Sequence, residues 1–287
     1  KSMNDLTLTS SSSFEDIAKI IGQDESSGSS TPAIYYLKIN RDHEDDSGRS
    51  IPAGSWTTEL DGNKVVYAKE IDFQVFAQRY QYLHYDAEAN EMVSRSVFAN
   101  NLYPQTEIPD TVGTFRCGSV PASQREGLPA DKALLQKNIK CFRMLFGKAT
   151  FVDGVDSDGN SIEVKDVPVL WRARGSNFMP ISVPIDSLSA QKKPFIFYKL
   201  RGSLEKKKNG GLVYYVGGFK VNDGPVDFTD EDQGTLAFFM DYISSENKKV
   251  MALYDETLRK QGKVVDQDPV NVSVDDALND DLSAVEA

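Results

Sequence analysis

Cations and aromatic rings recur at every second residue in three segments of this chain, the spacing a strand needs to grip a polyanion. Lys140, Phe142, Met144, Phe146 and Lys148 share one parity of the run Ile139–Val152. Leu170, Arg172 and Arg174 share one parity of Val167–Arg174, with Val169 and Trp171 on the other. Phe195, Phe197, Lys199 and Arg201 share one parity of Phe195–Leu204. Residues two apart on a pleated strand project from the same face, so adjoining strands of this kind set cations beside flat rings. The cations neutralise phosphates, and the rings stack on unpaired bases whatever their identity. The candidate phosphate contacts are Lys140, Arg143, Lys148, Arg172, Arg174, Lys199 and Arg201, extended by Lys206, Lys207 and Lys208 at a hairpin tip. The stacking candidates are Phe142, Trp171, Phe178, Phe197 and Tyr198, although the parity of Trp171, opposite to Arg172, also suits a core position. A sheet with one core face and one wet face produces similar alternation. Phe195 and Phe197 sharing a parity with Lys199 and Arg201 is not what a plain core face gives.

Other chemistries find weaker footing. Asp153 with Glu163-Val164-Lys165 echoes the two carboxylates and lysine of metal-dependent nucleases. The loop Asp153–Gly159 resembles a calcium loop but puts Gly154 and Lys165 where the first and last ligands belong, so a hairpin turn is the expectation. His43, His84, Cys117 and Cys141 lack the close pairs of a structural zinc site. No phosphate-binding glycine loop, dinucleotide fingerprint or nucleophile elbow occurs; Gly210-Gly211 and Gly217-Gly218 precede no helix. No cofactor, no metal and no enzymatic activity are therefore expected.

The elements that must position these residues are mostly strands. Ile34–Asn40 reads as a strand, and Ser55–Glu59 and Lys64–Tyr67 flank Asp61-Gly62-Asn63 as a hairpin. Ile71, Phe73 and Val75 alternate, and Met92–Phe98 is a further strand. Residues 99–130 hold four prolines and read as a long connection, followed by a short helix from Ala130 to Lys137. Ser161–Lys165 and Leu212–Val221 read as strands, Glu205–Gly211 as a loop, and Pro184–Gln191 as helical turns. Asp227–Gln261 is the strongest helix, capped by Thr229, with Phe239, Ile243, Val250, Leu253 and Leu258 as its apolar side. The island Phe14–Ile21 has helical spacing inside a Ser-rich arm.

Charge is sorted along the chain. The formal net charge is -11, yet residues 112–220 hold 18 basic against 9 acidic side chains. Residues 264–287 hold 7 acidic side chains and no Lys or Arg. A basic, aromatic-rich segment ahead of an acidic tail suits a protein that binds a polyanion and carries a competing one. No apolar run reaches 18 residues, and residues 1–13 have no secretory core, so a cytoplasmic setting with no membrane contact is the expectation.

Four segments, Ile51-Pro-Ala-Gly-Ser-Trp56, Phe115-Arg-Cys-Gly118, Lys140-Cys-Phe-Arg-Met-Leu-Phe-Gly147 and Val169-Leu-Trp-Arg-Ala-Arg-Gly-Ser-Asn-Phe178, resemble tailed-phage proteins associated with replication. The nearest functional class is the phage single-stranded DNA-binding proteins, over residues 33–260. The resemblance implies an oligonucleotide-binding (OB) fold, coating of exposed strands in replication or recombination within the bacterial host, and partner contacts through an acidic tail. This chain departs from the class by ending Ser283-Ala-Val-Glu-Ala287, without a terminal aromatic.

The combined expectation is a mainly β protein with helices. A disordered arm over 1–33 precedes an elaborated OB-like β-barrel over 34–226, a helix packed on it over 227–261 and a disordered acidic tail over 262–287. Its function would be non-catalytic binding of single-stranded DNA. Asp275, Asp276, Asp280 and Asp281 of the tail would compete for the groove or dock replication and recombination proteins, and a homodimer is compatible. A divalent-metal nuclease and a virion or scaffold protein are the alternatives.

Overall fold

The computed structural model describes residues 34–262, apart from 87, 88, 90, 102–107, 113–126, 128, 131, 132, 134–137 and 223. The arm with its 14–21 island, the acidic tail from 263 and the segment Phe115–Gly118 lie outside the described residues. The described residues form nine strands: β1 (Tyr35–Asn40), β2 (Ser55–Leu60), β3 (Lys64–Ala68), β4 (Glu70–Asp86), β5 (Glu91–Arg95), β6 (Ile139–Val152), β7 (Val164–Ala173), β8 (Lys199–Asn209) and β9 (Leu212–Val221). Helix α1 spans Ser182–Ala190 and α2 spans Asp230–Lys260. Ala130, Ala133 and Asn138 are helical where a short helix is predicted. Among the described residues no helix is long and apolar enough to cross a membrane.

The strands join in one sheet ordered β3-β2-β1-β7-β6-β4-β8-β9, with β5 added to β4. Its path ends at β3 and at β9, so the sheet is open. β1 runs parallel to β7, whereas β1–β2, β2–β3, β4–β5, β4–β8 and β8–β9 are antiparallel. The chain divides into two compact units rather than one continuous body. Of the described residues, the first takes 34–77, 145–172 and 176–238; the second takes those within 78–144, 173–175 and 239–262.

In the first unit apolar alternation builds a core on each face. Ile71, Phe73 and Val75 of β4 are buried on one parity, and Phe76 on the other. Trp56 of β2 lies 5.1 Å from the Trp171 ring of β7 and 5.6 Å from Phe219 of β9, centroid to centroid. Because β2 and β9 sit near opposite ends of the sheet order, this contact requires the sheet of this unit to curl over its own inner face. On the other face Phe228 packs edge-on against Phe76 and Phe197, at 5.4 and 6.0 Å. The start of α2 is fixed by a capping box: Asp232 N donates to Thr229 Oγ1 (3.2 Å) and Thr229 N donates to Asp232 Oδ2 (3.0 Å).

In the second unit Tyr82, Ala99, Ile108 and Ile139 form a core cluster with Val97 and Cys141 packed on it. Phe239, Ile243 and Val250 are the buried side of this part of α2, whereas Leu253, expected among them, is 45% exposed. The Asn247 amide accepts from Phe98 N (2.7 Å) and donates to Phe98 O (3.2 Å), tying α2 to the segment after β5.

Two local expectations are corrected. Phe195–Phe197 is a 3-10 turn, with Phe197 N donating to Pro194 O, and strand β8 starts only at Lys199. Lys206, Lys207 and Lys208 sit on β8 rather than at a hairpin tip, because Gly210-Gly211 alone makes the turn and the β8–β9 ladder runs to Asn209 and Leu212.

Candidate nucleic-acid interface

In the first unit, the parallel register of β1 and β7 sets Tyr36 level with Leu170 and Leu37 level with Trp171. Leu37, Val169 and Trp171 are all buried on the inner face. The opposite parity carries Tyr36, Lys38 and Arg172, which are exposed, and Leu170, which is buried beside Tyr36. The Arg172 guanidinium lies over the Tyr36 ring, 4.9 Å from its centroid, and the ring is 42% exposed. A ring holds a guanidinium in place without neutralising it, so its donors remain open to a phosphate. Among the described residues neither Arg172 nor Lys38 has a carboxylate partner. Beside them Ile34, Tyr35, Tyr36, Lys38 and the turn Glu59–Asn63 line a cleft of about 380 Å³.

The second unit has a cation–aromatic pair of its own. Arg174 lies over the Phe142 ring at 5.5 Å, and both Arg174 and Lys140 are exposed. Arg143, of the other parity, is buried: it donates from Nη1 to Gln78 Oε1 (2.7 Å) and lies 5.3 Å from the Tyr80 ring. It is a core cation, which corrects its placement among the phosphate contacts.

Several further candidates are engaged elsewhere. Lys148 is buried, with Nζ on the Asp232 carboxylate and over the Phe76 ring. Burial acts to raise the Asp232 carboxyl, but the Lys148 hydrogen bond, the Thr229 N–H and the Lys148 charge outweigh it and hold it below the ordinary carboxylate value. Arg201 donates from Nε and Nη2 to the two oxygens of Asp72 (2.7 and 3.1 Å) and from Nη1 to Glu70 (3.0 Å). Asn222 donates to the same Asp72 (2.9 Å). Lys199 pairs with Asp166 at 3.1 Å, and Lys207 with Glu205. Lys206 and Lys208 are exposed. Trp171 is 3% exposed, so its ring is a core ring rather than a stacking surface. Phe197 packs on Phe228, and Phe178 and Tyr198 are half-buried. The 3-10 turn takes Phe195 and Phe197 off the strand row they were expected to share with Lys199 and Arg201. Asp275, Asp276, Asp280 and Asp281 lie outside the described residues.

Two of the three residues weighed for nuclease chemistry, Glu163 and Lys165, pair with each other in solvent. Asp156 Oδ1 accepts from the backbone N–H groups of Asp158 and Asn160, closing a turn over 156–160 where a hairpin turn over Asp153–Gly159 is expected. A like turn occurs at Asp45, whose carboxyl the Ser47 hydroxyl and the backbone N–H of Arg49 hold down to about 2. Among the described residues no group of three His, Cys, Asp or Glu is placed to hold a metal ion.

Tyr36 and Lys38 escaped sequence reasoning. Their signal was present in Tyr35-Tyr36-Leu37-Lys38, where one parity pairs a ring with a cation around an inward leucine. Their importance rests on the parallel contact with β7, which no local pattern encodes. No family model, curated protein or solved structure matches this chain.

Proposed function

We propose that the protein is a non-catalytic single-stranded DNA-binding protein that engages the strand on the outer face of β1 and β7. The observation that carries this reading is the exposed Arg172–Tyr36 stack with Lys38 on the same face. Two cations without carboxylate partners supply the phosphate contacts, and an accessible ring supplies the sequence-tolerant stacking that such binding requires. Arg174 on Phe142, with Lys140, is a second set of the same chemistry. The curled sheet of the first unit serves here as an OB-type binding scaffold. On this reading the ligand is the single strand exposed during replication or recombination. The acidic residues of 264–287 compete for the cations or contact partner proteins.

Fluorescence anisotropy with labelled single- and double-stranded oligonucleotides at two salt concentrations tests this. Tight, salt-sensitive binding to oligo-dT with weaker binding to duplex is expected. Failure to bind either, or binding indifferent to salt, sinks the reading.

A further inference from the structure

The cleft beside Tyr36 has a chemistry that a purely sequence-blind strand binder would not need. The β1–β2 ladder is formed as far as Lys38↔Thr57, and extending its register two residues further puts Tyr36 opposite Glu59, on one face of the pair. Both line the cleft of about 380 Å³, together with Lys38, Asp61 and Asn63. Asp61 is engaged, accepting from the Tyr35 hydroxyl at 2.9 Å. The Glu59 side chain is exposed and has neither hydrogen bond nor ion pair among the described residues. A bare carboxylate beside phosphate-binding cations repels the backbone, so a surface built for the backbone alone would exclude it.

A nucleobase presented by that backbone reverses the sign of the argument. A carboxylate offers two acceptor oxygens and no donor, whereas a lysine ammonium offers donors only. Unpaired bases are read on their exposed Watson–Crick edges while stacked on rings. Guanine alone presents two adjacent donors, N1–H and the 2-amino group, next to an acceptor, O6. Thymine, cytosine and adenine each present one donor position on that edge. On the reading that the β1–β7 face binds single strands, we propose that the cleft is a base-specificity site that selects guanine. Glu59 accepts from N1–H and the 2-amino group, Lys38 turns from the phosphate it holds on plain oligo-dT to donate to O6, and Tyr36 stacks.

The test is anisotropy of the full chain with oligo-dT carrying one central dG, the same oligonucleotide with deoxyinosine there, and plain oligo-dT. Deoxyinosine keeps N1–H and O6 and lacks only the 2-amino group. The dG oligonucleotide should bind about ten-fold more tightly than plain oligo-dT, with deoxyinosine in between. Glu59→Gln should erase that order while oligo-dT affinity stays level or rises, an outcome that a misfolded variant cannot produce. Salt-sensitive but equal binding of all three by the unaltered protein overturns the guanine site and leaves the strand-binding reading intact. Absence of binding to all three overturns both.

Discussion

Replacing Arg172 and Lys38 together by glutamine separates cations that act on phosphates from cations that act on carboxylates. Each cation that displaces a counterion from a single strand adds about 0.7 to the slope of log affinity against log salt. Both side chains lack a carboxylate partner among the described residues, so the double variant should lower that slope by about 1.4. Between 50 and 200 mM salt the unaltered protein should then lose roughly seven-fold more affinity for oligo-dT than the variant does. Arg201→Gln is the matched control. Its guanidinium already faces Asp72 at 2.7 Å and Glu70 at 3.0 Å, so removing it should leave the slope unchanged. Anisotropy titrations at four salt concentrations, with circular dichroism to check each fold, give the slopes. If Arg201→Gln flattens the slope as much as the Arg172 and Lys38 pair does, the reasoning from ion-pair geometry fails.

Two further expectations concern the scaffold. Asp232→Ala strands the buried Lys148 and removes the carboxylate half of the capping box, costing about 3–5 kcal/mol in urea unfolding, and adding Lys148→Met should restore much of that loss. Because the Asp232 carboxyl is held below its ordinary value near 3.8, the stability it contributes is complete above that pH and lost as pH falls through its lowered value. Acid unfolding of the unaltered protein should therefore be steeper below about pH 4 than that of the Lys148→Met/Asp232→Ala double variant. Gly54→Ala places a Cβ against the Tyr215 ring at a backbone φ of +65°, and should destabilise by roughly 1–3 kcal/mol in a thermal melt without changing the salt slope.

Local chemistry made much of the fold legible. The Asp61-Gly62-Asn63 hairpin, α1, the Thr229 cap and most strands follow from turn residues and alternation, which act within a few positions. Pro194 gave no sign of the 3-10 turn that takes Phe195 and Phe197 out of β8, since an apolar alternation fits either backbone. The site was half legible for a different reason. Arg172 and Arg174 stand out in the sequence, but which cations are neutralised depends on strand register. Asp72 and Glu70 meet Arg201 only because β4 pairs with β8, Asp166 meets Lys199 across the same unit, and Tyr36 meets Arg172 only through the parallel β1–β7 pair. Parity tells which side of a strand a residue takes. It does not tell what waits there.

The Asn177 side chain acts on the outer border of β9, where its amide donates to Tyr215 O (3.2 Å) and accepts from Gly217 N (2.7 Å). Those two peptide groups point away from β8, and a neighbouring molecule would have to use them to extend the sheet. One buried carboxamide thus occupies the midpoint of a ten-residue border rich in valine and tyrosine, leaving shorter stretches on either side. A neighbouring copy of the chain is thereby denied the middle of this border for backbone pairing, which guards the edge against extension of the sheet.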